Sequence, residues 1–135
     1  MSLKLGLEML APQAPTAKYQ QNMHAAVLGK QVDLSVSMSS DRQFFNKAML
    51  LLYLDATSNV GKYVDQIMTN AAEEFASTGL KKQDLMKGLE YVSIKIFGKG
   101  ELASLEVGYA IHGDEHIFSQ EFVNGKPVAG VNVNG

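Results

Sequence analysis

Two imidazoles and two carboxylates fall within five consecutive residues of this chain: His112, Asp114, Glu115 and His116. Imidazole nitrogen and carboxylate oxygen are the donors that hold zinc and other transition metals. His112, Asp114 and His116 are therefore the candidates for metal binding. Gly113-Asp114 is also a turn signal, so the four residues sit around a hairpin tip, not on one helical face. Ligands at a tip need a third donor and supporting groups placed by the scaffold. The spacing supplies neither, and a solvated turn is the reading that outweighs a metal.

Nucleophilic and phosphate chemistry have weaker footing. His24, the third histidine, has no evident partner in sequence, and a general base needs one within hydrogen-bond reach. No Gly-x-Ser-x-Gly elbow occurs. Gly98-Lys99-Gly100 lacks the spacing of a phosphate loop and precedes a strand pattern instead of a helix, so it reads as a hairpin turn. The chain has no cysteine, which removes thiolate metal sites, disulfides and a cysteine nucleophile together. No catalytic residue is assigned, no cofactor is expected, and an enzyme is the less favoured class.

Charge and hydropathy narrow the partners. Twelve basic residues stand against 14 acidic ones, a net charge of -2, so no broad basic surface is available for nucleic acid. The longest uninterrupted apolar run, Ala48 to Leu54, is far too short for the roughly 20 residues of a membrane helix. Met1 to Leu10 carries Lys4 and Glu8 and lacks the apolar core of a signal peptide. A soluble, cytoplasmic protein is expected.

The elements follow from periodicity. Val60, Tyr63, Val64, Ile67, Met68, Ala71, Ala72, Phe75 and Ala76 recur at the 3.6-residue period of one helical face. Ser58 or Asn59 would cap this helix and Gly79 would close it. Before it, Ser40 to Gln43 fits a capping box for a helix running to about Asp55. That helix is apolar on nearly every side, which predicts burial between layers or at a subunit contact. The short link Thr57 to Asn59 folds the two helices into a hairpin, and Lys81 to Lys87 makes a further short helical piece.

Strand patterns flank the helices. Val32, Leu34, Val36 and Met38 alternate with polar residues, and Gly29-Lys30 would join this strand to an upstream arm, Met23 to Leu28. After the helices, Val92 to Ile96, Leu105 to Ile111, Ile117 to Val123 and Val128 to Val133 form a meander, with Asn124-Gly125 as a hairpin turn. Leu3, Leu5, Leu7 and Met9 also alternate. Pro12 and Pro15 separate them from the rest, so residues 1–15 read as an arm or edge strand and residues 16–135 as one domain.

The expected fold is α+β: an antiparallel sheet of about five strands with a helical hairpin on one face, in the order β-β-α-α-β-β-β-β. The uncovered sheet face would carry Tyr91, Lys95, Glu106, Phe118 and Phe122. Tyr91, Lys95, Phe118 and Phe122 are the candidates for contact with a protein partner. With no catalytic set and more apolar surface than one helix–sheet interface consumes, the favoured function is a non-enzymatic protein–protein interaction domain. An inhibitor or immunity-type protein of bacterial or phage character would fit. The layout is similar to that of small cytoplasmic immunity proteins of bacterial toxin systems, a likeness of arrangement that brings no residues with it. Two alternatives stand beside it. One is a small-ligand-binding or enzymatic domain with a pocket between helices and sheet. The other is a self-assembling phage or secretion-machine subunit, in which a homo-oligomer would form.

Overall fold

In a computed structural model, residues 16–113 and 116–134 are described. The expected arm and its proline connector, and Asp114 and Glu115, lie outside them. Seven strands form one sheet: β1 (Lys18–Val27), β2 (Lys30–Ser40), β3 (Leu89–Lys99), β4 (Leu102–Ile111), β5 (Ile117–Val123), β6 (Lys126–Pro127) and β7 (Asn132–Asn134). Between β2 and β3 come α1 (Lys47–Ser58), α2 (Val60–Glu74), a 3-10 turn at Ala76–Thr78, and α3 (Lys82–Gly88). The class and order are those expected. The sheet is larger than five strands and is mixed, because β2 and β3 run parallel. The chain leaves β2 at one end of the sheet, passes through three helices, and re-enters at the other end.

Tight turns set the registers. Leu28 (φ 52°) and Gly29 (φ 80°) are both left-handed, the geometry whose twist suits a two-residue hairpin. Asn124 (φ 52°) and Gly125 (φ 77°) repeat it between β5 and β6. The turn expected at Gly98-Lys99-Gly100 is shifted. Gly98 lies inside β3, and a Cβ there would come within 2.1 Å of the Met49 sulfur. Glycine at 98 is therefore what lets α1 press its methionine against the strand.

The helices cover one sheet face. Val32, Leu34, Val36 and Met38 from β2, Val92, Ile94 and Ile96 from β3, and Leu105, Val107 and Tyr109 from β4 join Val64, Ile67, Met68 and Leu85 in a single buried cluster. In α2, Val60, Tyr63, Val64, Ile67, Met68 and Ala71 are buried, as the stripe requires. Its expected side-chain cap does not form. Asn59 instead points back, and its Nδ2 donates to the Asp55 backbone and carboxylate oxygens at 3.0 Å each. Gly79 closes the following 3-10 turn in the left-handed conformation (φ 80°).

The first helix departs further from expectation. Ser40 ends β2, buried, and its hydroxyl accepts from the Arg42 backbone, so no capping box forms there. The cap is Asn46, whose Oδ1 accepts the Met49 N–H at 2.8 Å. Its Nδ2 donates to the carbonyls of Gly100 (3.0 Å) and Leu102 (2.9 Å), which fixes the start of α1 to the β3–β4 turn. Within α1 only Met49 and Ala56 are buried. Among the described residues, nothing sandwiches the helix against the sheet.

Candidate functional site

The open sheet face is built by the alternate residues of every strand. One row across it runs His24, Asp33, Tyr91, Ala110 and Ile117. The next runs Asn22, Ser35, Ser93, Gly108, Ser119 and Asn132. A third carries Gln20, Ser37, Lys95, Glu106 and Glu121. These rows are mostly polar, with Phe97, Ile117 and Val123 exposed on the same face. Its middle is kept low by Gly108, where a Cβ would stand 3.1 Å from the Ser93 hydroxyl and from the Phe118 carbonyl.

Tyr91 and Lys95 lie on this face, half-buried and exposed respectively, with the Lys95 ammonium 4.0 Å from the Glu106 carboxylate. Phe118 and Phe122 do not. Their parity in β5 aims them at the helices, where both are buried. The Phe118 ring stacks on Tyr109 with centroids 5.3 Å apart, and Phe122 meets Tyr63 edge-on at 4.9 Å. They are core residues, and the sheet face offers Ile117 and Val123 in their place.

His24 has a partner after all. Hairpin pairing sets it opposite Asp33, with Nδ1 2.9 Å from the carboxylate, on a solvated surface beside Tyr91. The turn lies one residue before the expected Gly29-Lys30, and about Leu28-Gly29 paired positions sum to the constant that sets His24 against Asp33. Neither residue is enclosed, and the pair alone supplies no bond-making group.

His112 follows β4, and its ring lies 3.5 Å from the Glu90 carboxylate. His116 precedes β5 and makes its own contact. Among the described residues no three histidine or carboxylate side chains gather as metal ligands. No described helix is long and apolar enough to cross a membrane.

A second surface is formed by α1. With Met49 and Ala56 turned inward, the 100° step per residue sends Leu50, Leu51 and Leu54 outward. They are 46%, 56% and 60% exposed. Two recesses flank Leu51. One is lined by Phe44, Phe45, Lys47, Ala48 and Glu101 and measures about 570 Å³. The other, about 490 Å³, lies between α1, α2 and the end of β5, and is lined by Ala48, Leu52, Asp55, Lys62, Tyr63 and Val123 among others. In the second, Tyr63 donates to the Asp55 carboxylate. Burial first, and then this bond, push the Tyr63 phenol up to about 12. The phenol is thus a neutral donor at any physiological pH.

The sequence leaves this helix two places, between layers or at a subunit contact, and does not single out Leu50, Leu51 and Leu54. An all-round apolar helix satisfies a core and a docking surface equally well, and only placement separates them. No protein-family model, curated protein or solved structure matches the chain.

Proposed function

We propose that this chain is a non-enzymatic protein–protein interaction domain that docks through the outward face of α1. The observation carrying this reading is the exposure of Leu50, Leu51 and Leu54 on one helix whose opposite side is already seated on the sheet. Phe44 (57% exposed) and Leu102 extend the apolar surface at the helix start, where Asn46 joins the two segments. Contiguous apolar surface of this kind is costly to hydrate and marks contact sites. The recesses beside Leu51 suit anchoring side chains from a partner, the usual form of an energetic hot spot.

The test is a paired capture experiment. Immobilised wild-type chain and a Leu51→Asp/Leu54→Asp variant are exposed to extract of the native host, with Tyr91→Ala as control. Proteins held by the wild type and the control, and lost from the double variant, support the reading. Equal capture by all three chains removes it. The 490 Å³ recess also gives the ligand-binding alternative a specific location between helices and sheet. There, a small molecule would be recovered bound to wild type and lost from a Tyr63→Phe variant.

A further inference from the structure

Resting on the reading of α1 as a docking face, we propose that its partner is a second copy of this chain, packed with the two α1 helices antiparallel about a two-fold axis at Leu51. A two-fold interface must be complementary to itself, so every outward residue has to suit the residue the axis places opposite it. Leu51 lies on the axis and meets its own counterpart. Lys47 and Asp55 are each four residues away, about 6 Å along the helix in opposite directions. The axis therefore sets Lys47 against the partner's Asp55, and Asp55 against the partner's Lys47.

Ala48, beside the leucines, borders both recesses. The second charges of the recesses are also opposite, Glu101 near Lys47 and Lys62 near Asp55. A partner unrelated to this chain would not require Lys47 and Asp55 to be symmetric about one residue.

Sedimentation equilibrium over micromolar to submillimolar concentrations tests this. Wild type is expected to reach twice the single-chain mass. Lys47→Asp and Asp55→Lys each set like charges together at both ends of the interface, and each should raise the dissociation constant about tenfold or more. An equimolar mixture of the two variants pairs opposite charges again, so dimer should return in the mixture. Asp55 also holds Asn59 and Tyr63, so a substitution on the axis provides an independent check. Leu51→Asp sets two carboxylates together there and should dissociate the dimer. A wild type that stays monomeric throughout overturns the assignment. So does a dimer indifferent to Lys47→Asp and Leu51→Asp, or charge variants that fail to complement. A monomer would leave the α1 docking reading standing on the capture comparison, which fails on its own criterion.

Discussion

Helices α1 and α2 are neighbours in the chain, separated by Asn59 alone, and they use apolar residues in opposite ways. The 15-residue α2 alternates apolar with polar at helical period and buries six side chains. The 12-residue α1 is richer in large apolar residues and buries two. Apolar content did not decide burial; its distribution around the helix did. A stripe can be consumed by one sheet, whereas a helix apolar all round has a second side that the same sheet cannot reach. The difference seats α2 in the core and leaves the outer side of α1 in water.

The largest effect should come from Ile67→Asp. It sets an unpaired charge at a fully buried point of the α2 stripe, a cost of several kcal/mol against a stability of roughly 5–15. Loss of the cooperative melting transition is expected, and an unchanged melting temperature would break the contrast at its α2 end. Gly98→Ala comes next. The new methyl meets Met49, α1's main anchor, and should cost about 1–3 kcal/mol in denaturant unfolding.

Tyr63→Phe sharpens the boundary between the helices, since its hydroxyl bridges from α2 to Asp55 of α1. A loss of about 1–2 kcal/mol at neutral pH is expected. Because folding raises the phenol from 10.0 to about 12, the folded state holds its proton longer than the unfolded chain. That stabilisation is complete below pH 10 and fades as pH rises through 12. Thermal melts across this window should show wild type losing stability faster than Tyr63→Phe. The smallest effect belongs to Leu54→Asp, within about 0.5 kcal/mol of wild type, because its side chain is already in water. A large loss there would place α1's outer side in the core after all.

Local periodicity made α2, the alternation of β2 to β5 and the Asn124-Gly125 turn legible. What escaped depended on distant chain. Ser40-x-x-Gln43 has capping-box spacing, yet Ser40 belongs to a buried strand end. Asn46 carries no such signature, since its N3 residue is Met49, which cannot bond back. Phe118 and Phe122 are the exception: their local alternation with Ser119 and Glu121 already points to the core, against their expected place on the uncovered face. The parallel pairing of β2 with β3 had no local mark, because it depends on where the helices return the chain. The polar Gln120 between the two phenylalanines is buried because Asn70 donates to it at 2.8 Å and it donates to the Ala129 carbonyl at 2.6 Å.

That parallel pairing governs how the protein assembles. The β1–β2 hairpin and the β3–β5 meander can each zip from a tight turn, within microseconds for a hairpin. The join between β2 and β3 must wait until the intervening helical segment has been gathered into a closed loop, whose entropy is lost before any cross-strand bond repays it. The seam between the two strands β1–β2 and the other five is thus expected to close last. Until it does, each part presents a bare backbone edge open to pairing with another chain.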